Sequence, residues 1–414
     1  MHTTAQPQPM AAHATLVDGP HVWMESDAVD QLHRTASLEG CVRAIGMPDL
    51  HPGPGGPIGA AFAFSDRIYP SLLGTDAGCG ARLVVTALGR MKLDAVERRV
   101  RDAFDVEHFP WQGSAAVLEA LAQCGIAGLA RIPSLPDSLR NLATLESPEP
   151  DLRATLEPHR ELLAPLIGHA LGTLGGGNHF AEVSRVGTVA DRQAASGWGV
   201  RSDRCAVLVH SGARTLGKLL ADRIGVGPVQ GAEADSYLAA QAWACRFARA
   251  NRFLIGWRIL SALGAARRDK VVFNVDCVHN QVEGFQLDGL DVWLHRKGSA
   301  PARALEPTLL LGSRGAVSWL MMGCGNQSVL ESMAHGSGRR MTRSQAVSKL
   351  KTRYPRASLQ RTPAGGRVIC DDTQLLYEEH PDAYKSVDAV LNAVVKARMA
   401  TPVAPLEPMV TVKR

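Results

Sequence analysis

The sequence predicts an α/β protein of mixed α+β character, stacked strands enclosed by helices, and three observations carry that prediction. Over residues 43–88 short apolar runs alternate with glycine clusters, the pattern of strands joined by tight backbone turns. A long alanine-rich helical pattern covers residues 235–263 and stops at Gly264. Strand signals then return in VVFNVDCVHN, DVWLHRKGSAP and LLLGSRGAVSWLMMG, each apolar run ending in polar or glycine residues. The composition agrees: 45% of the 414 residues are hydrophobic and 21% charged, which excludes a disordered, coiled-coil or collagen-like chain.

In chain order, residues 1–21 are small, polar and proline-containing, which predicts a flexible N-terminal arm ahead of a single domain over 22–414. Residues 89–130 predict amphipathic helices. The prolines of 132–158 (IPSLPDSLRNLATLESPEPDLRATLEP) predict an exposed connection within that domain. LGTLGGGNHFAEV and CAVLVHSGART form a second strand-and-loop region. SMAHGSGRRMTRSQAVSKLK reads as a glycine-hinged loop before a basic helix, and 370–398 adds another strand and helix.

Charge and cysteine usage narrow the function classes. Lys and Arg number 45 against 40 Asp and Glu, a formal charge of only +5. The longest uncharged run, 162–181, holds Pro165, two histidines and several glycines, so it predicts no membrane span. The first basic side chain is Arg34, and with no basic start to the chain the expected location is the cytoplasm. Eight scattered cysteines without a Cys-x-x-Cys pair predict reduced thiols, mostly in the core.

The candidate chemistry lies on histidine. Six of the 14 histidines sit at glycine- or polar-flanked strand ends: His51, His179, His210, His279, His295 and His335. One histidine in such a place more often packs than ligates. Several in one context predict a shared site, because glycine there lets a ligand approach the backbone and imidazole serves both metals and proton transfer. GTDAGCG adds Asp76 and Cys79, a hard oxygen and a soft thiolate that suit Zn²⁺- or Mn²⁺-like ions better than Ca²⁺ or Mg²⁺. A thiolate can bridge two cations, so a pair of ions is conceivable. Neither G-x-x-x-x-G-K-[ST] nor G-x-G-x-x-G occurs. The turns 175–178, 312–313 and 336–339 offer backbone N–H groups to phosphate instead, and the basic run from Arg339 to Lys351 offers charge to a phosphodiester backbone.

Together these segments carry a resemblance. GMPDLHPGPGGPIG, GTDAGCG, LGTLGGGNHFAE, HSGAR, VHN, HRKG, HGSGR and the terminal VTVKR occur in the order found in the RtcB family of GTP- and Mn²⁺-dependent RNA ligases, which the chain resembles from about Trp23 onward. The form of the first motif is similar to that of the branch coupled to a release-factor-like protein. The resemblance implies an RtcB-like fold and an enzyme joining RNA 3′-phosphate or 2′,3′-cyclic phosphate ends to 5′-hydroxyl ends in repair of ribosomal or transfer RNA. It implies GTP and probe-able residues for it: His335 would carry a covalent guanylate and Asp49 would orient that ring. Asp76, Cys79, His179, His210 and His279 would hold two Mn²⁺ ions. Nucleotide contacts would fall on Asn178, Phe180, Glu182, Asn280, Gly312, Ser313, Ser318, Gly336, Ser337, Gly338, Tyr384 and Lys413, with Glu182 accepting from guanine N1–H and N2–H₂. RNA would meet His295, Arg296, Lys297 and Arg339.

The chain departs from the family pattern in three places. It has Ala213 for a usual Ser, Leu311-Gly312-Ser313-Arg314 for Pro-Gly-Ser-Met, and Arg414 for a terminal Gly. Two rival readings use the same residues: a metal-dependent phosphohydrolase acting on RNA ends with water as nucleophile, and a non-catalytic RNA-binding factor.

Overall fold

The computed structural model describes residues 13–105, 109, 111, 114–224 and 227–414. Its centre is an eight-stranded sheet in which Pro307–Leu310, Ser318–Gly323, Ala400–Val412, Phe180–Val186, Cys205–Ser211, Gly80–Thr86 and Val271–Val278 lie side by side, with Arg367–Ile369 paired to Ala400–Val412. Gly80–Thr86 and Cys205–Ser211 are buried on both faces, and the period of two shows in what each side chain meets. Ala81, Leu83 and Val85 join Ala206 and Leu208 in one apolar cluster, while Val84, Val207 and Val209 face the other way. That second face is covered by the 32-residue helix Gly231–Ala262, whose Trp243, Phe247 and Ile255 are buried against it.

A second, five-stranded sheet has the order His13–Leu16, Cys41–His51, Ile58–Phe64, Leu290–Lys297, Asn280–Leu287. A two-stranded pair, Ser299–Pro301 with Ser332–Ala334, stands beside it. The fold class read from the sequence is the one observed, mixed strands in several sheets with helices around them. Among the described residues no helix is long and apolar enough to cross a membrane. The cysteines are free thiols, six of them buried, with Cys124 half-buried and Cys324 exposed.

Two expectations are corrected. Of the N-terminal arm, residues 1–12 lie outside the described residues, but His13–Leu16 is a strand paired in parallel with Cys41–His51, so order begins before Val22. The stretch 132–158 is not simply exposed: Leu135, Leu139, Leu142 and Leu156 are buried in the main core. Its acids also work inward, Glu146 pairing with the buried Arg82 and Glu149 with Arg246. Prolines there interrupt helices without keeping the intervening leucines out of the core.

Candidate active site

The large sheet brings the sulfur and imidazole groups together by antiparallel register. Phe180 pairs with His210, Gly80 with Ser211 and Gly80 with Val278. The start of one strand therefore lies beside the end of the next, and Cys79, His179, His210 and His279 all fall at one end of four adjacent strands. Cys79 Sγ lies 3.5 Å from Nε2 of both His179 and His210, and His210 Nε2 lies 3.4 Å from His279 Nε2. Two ligand groups result, Cys79/His210/His279 and Asp76/Cys79/His179, each with donor atoms within 4.8 Å and with the thiol in common. The donor set is sulfur, imidazole nitrogen and one carboxylate, which fits a borderline or soft divalent cation. Burial holds the His210 and His279 imidazoles well below their usual pKa, so they are neutral, the form that ligates; burial also pushes the Cys79 thiol up.

The corner is held from behind. Arg252, fully buried on the long helix, donates to the carbonyls of Gly78 (3.0 Å) and Ser211 (2.8 Å) and pairs with Asp276. One guanidinium thus ties the loop carrying Cys79 to the strand carrying His210. Asn251 beside it donates to Ser211 Oγ and Thr173 O and accepts from Gly172 N. Asn280 donates to Asp76 Oδ2 at 3.0 Å, setting that carboxylate.

Against this corner stands His335, its ring centroid 4.7 Å from that of His279. The strand Cys41–His51 loses its register with Ile58–Phe64 between Gly46 and His51, and the bulge turns Asp49 inward. Asp49 is fully buried, and its Oδ2 accepts from His335 Nδ1 at 2.7 Å and from the backbone N–H groups of His335 and Gly336 at 3.2 Å each. A carboxylate can only accept here, so Nδ1 carries the hydrogen and a neutral ring keeps an open lone pair on Nε2. Lys385 clamps the bulge by donating to the carbonyls of Pro48 and Leu50. Gly338, at φ +69°, passes so close that a Cβ would lie 2.2 Å from Asp49 O.

A cavity of about 880 Å³ joins these parts, a size that takes a nucleotide. Its lining includes Asp76, His179, His210, His279 and His335, together with the predicted Asn178, Phe180, Asn280, Gly312, Ser313, Gly336, Ser337, Gly338, Tyr384, Lys413, Lys297 and Arg339. Lys413 donates to His179 O at 3.0 Å, and burial lowers its pKa to about 8. Arg339 pairs with Glu379 and lies 4.9 Å over the Tyr384 ring.

Other predicted residues lie outside that lining. Both oxygens of Glu182 are engaged, by Ser184 Oγ at 2.8 Å and Thr411 Oγ1 at 2.7 Å. Ser318 Oγ accepts from Gly312 N and so shapes the turn behind the cavity. His295 accepts from Tyr69 N, and Arg296 pairs with Glu283, so both are buried in the second sheet and only Lys297 of that triplet reaches the cavity. Sequence reasoning passed over Arg252, Lys385 and Glu379. The signal available for Arg252 was its place among cations and amides (Arg246, Asn251, Arg252, Arg258) spread through a mostly apolar, buried helix.

A family model described as tRNA-splicing ligase RtcB matches residues 31–226 and 218–414. The chain belongs to the RtcB ligase family. It is 35% identical over 414 residues to RNA-splicing ligase RtcB2 of Escherichia coli strain ATCC 25922, covering 98% of this chain and 97% of that protein. It is 30% identical over 445 residues to RNA-splicing ligase RtcB of Mycobacterium tuberculosis, covering 92% and 100%. It is 28% identical over 447 residues to tRNA-splicing ligase RtcB of Archaeoglobus fulgidus, covering 93% and 91%.

Proposed function

We propose that this chain joins an RNA 3′-phosphate to a 5′-hydroxyl through a covalent guanylate on His335, drawn from GTP. The observation that carries the reading is the Asp49–His335 pair at 2.7 Å, set ring to ring against a thiol–imidazole corner. A hydrolase using water as nucleophile has no need of an imidazole that carries a guanylate, so label retained on His335 separates the two readings.

In the first step His335 Nε2 forms a bond to the α-phosphorus of GTP and the bond to pyrophosphate breaks. Asp49 keeps Nδ1 protonated and stabilises the positive charge that the ring gains. An oxygen of the RNA 3′-phosphate then takes the guanylate and frees His335. Finally the 5′-hydroxyl oxygen attacks the 3′-phosphorus, releasing GMP and its own proton; a 2′,3′-cyclic end must first add water to become a monophosphate. Asp76, Cys79, His179, His210 and His279 would hold Mn²⁺, which when bound supplies positive charge to the phosphates. Lys297, Lys413 and Arg339 supply cations around the same cavity.

The form of the first motif supports a place in the branch coupled to a release-factor-like protein, with broken ribosomal or transfer RNA in the cytoplasm as substrate. Incubation with α-phosphate-labelled GTP and Mn²⁺ tests the chemistry. Acid-labile label on the wild type and none on His335→Ala is expected, and label persisting on the variant overturns the assignment. Cleaved transfer or ribosomal RNA bearing 3′-phosphate and 5′-hydroxyl ends, left unjoined by labelled enzyme, overturns the proposed substrate alone.

A further inference from the structure

We infer that Arg314 reads the O6/N7 edge of guanine in the bound nucleotide. The inference rests on the nucleotidyl-transfer reading above and adds its specificity determinant. Arg314 stands on the turn between Pro307–Leu310 and Ser318–Gly323 and lines the cavity. It is 7% exposed, makes no hydrogen bond or ion pair with any described residue, and has an enclosed Nη1 without a partner. The neighbouring enclosed cations are all engaged: Arg339 by Glu379 and Tyr384, Lys413 by Glu379 and His179 O, Lys297 by Pro54 O. A buried guanidinium with no acceptor carries an uncompensated desolvation cost, which an incoming pair of acceptors removes.

Position decides which part of the nucleotide supplies them. Leu311 pairs with Gly336 and donates to His335 O at 2.9 Å, so this turn starts beside the nucleophile. Arg314 follows three residues on, and the groups it interacts with electrostatically are Glu379, Tyr384, Cys370, His380 and Lys413 rather than the Cys79 corner. With the α-phosphate at His335 and the outer phosphates toward the corner, the nucleoside extends toward Tyr384 and Arg314. Burial lowers the Arg314 pKa to about 10, and the group remains a cation at neutral pH.

The guanidinium offers two parallel N–H donors in a rigid fork, which matches the adjacent O6 and N7 acceptors of guanine. Adenine presents N7 beside an N6–H₂ donor, which leaves one Arg314 N–H facing another N–H. Glu182, the carboxylate that resemblance assigns to guanine, is taken up by Ser184 and Thr411 and does not line the cavity. Arg314 therefore supplies a base-selective group where no lining carboxylate is assigned that task.

Equilibrium binding of GTP, 7-deaza-GTP (C–H in place of N7) and ATP, measured by calorimetry with Mn²⁺, tests this. The full-length wild type, Arg314→Met and Arg314→Lys are compared, and circular dichroism checks that each is folded. The wild type is expected to bind GTP about tenfold to a hundredfold more tightly than 7-deaza-GTP or ATP, and Arg314→Met to lose that preference. Arg314→Lys, with charge but no fork, is expected to keep only a small part of it. Equal weakening of GTP and 7-deaza-GTP by Arg314→Met would assign the guanidinium to phosphate and overturn the inference. So would wild-type protein that binds the two nucleotides equally, a result that needs no variant to fold. Label on His335 with no preference for N7 sinks Arg314 alone; no label on the wild type sinks the reading beneath it.

Discussion

The two halves of the cavity handle charge in opposite ways. At the large-sheet end, Cys79 Sγ lies 3.5 Å from His179 and His210, and His210 lies 3.4 Å from His279, while the buried Arg252 behind them is spent on backbone carbonyls and Asp276. In the half formed by turns, Glu379 binds Arg339, Tyr384 and Lys413 together, so those two cations are paired while the wall stays positive. The first half is a donor set that fits an added cation. The second is a shaped wall on which, among the described residues, Arg314 is an enclosed cation without a hydrogen-bond partner. Binding energy at the corner should therefore respond to metal, and at the wall to the identity of the base.

The largest effect that can break this division is at His335, the proposed nucleophile between the halves. His335→Ala should lower joining and guanylate formation by about three orders of magnitude or more, as loss of a nucleophile does, while calorimetry shows Mn²⁺ still binding at the corner. Loss of both together would mean that the corner and the nucleophile are one structural unit. Asp49→Asn comes next. Its amide can donate to Nδ1 and favour the wrong tautomer, so the rate of label formation should fall about a hundredfold or more with Mn²⁺ affinity unchanged. Cys79→Ser sharpens the other side: it removes the donor common to both ligand groups, and Mn²⁺ affinity should drop about ten- to a hundredfold. Thermal unfolding checks it independently, since a ligand at a hundred times its Kd adds about 2.7 kcal/mol to stability, of which about half is forfeited at a tenfold loss of affinity and most at a hundredfold loss. An unchanged Mn²⁺-dependent shift in Tm would move the cation elsewhere.

The corner was legible in the sequence because its parts share one signature, a histidine or cysteine at a glycine-flanked strand end, and antiparallel pairing gathers such ends. HRKG illustrates the limit of that reading. Consecutive strand residues point to opposite faces, so His295, Arg296 and Lys297 cannot all meet one cavity, and two of them are spent inside the sheets. Arg252 escaped notice because its partners, Gly78 O and Ser211 O, are backbone atoms far away in the chain. In 132–158 the prolines drew attention while Leu135, Leu139 and Leu142, at spacings of four and three, carried the helical signal that packs the segment.

The smallest expected effect concerns Glu182, on which the division between the halves also depends. Burial raises its pKa to about 7, against hydrogen bonds from Thr411 and Ser184 and the charge of Lys413, which act the other way. A carboxyl that keeps its proton in the folded chain to about pH 7 but loses it near 4.5 when unfolded favours the folded state fully below 4.5. That contribution is lost as pH rises toward 7, at up to about 1.4 kcal/mol per unit within the window. Lys413, lowered to about 8, titrates above the window. Glu182→Gln keeps the shape and can still accept a hydroxyl hydrogen bond, so its stability relative to wild type, from chemical denaturation between pH 5 and 7, should rise with pH. If the carboxylate is internal as the Ser184 and Thr411 bonds place it, GTP affinity at pH 6 should change less than about threefold, within the range of a non-contact substitution. A loss beyond tenfold would show that Glu182 turns to the base on binding, and the wall of the cavity would then offer the base a second polar group beside Arg314.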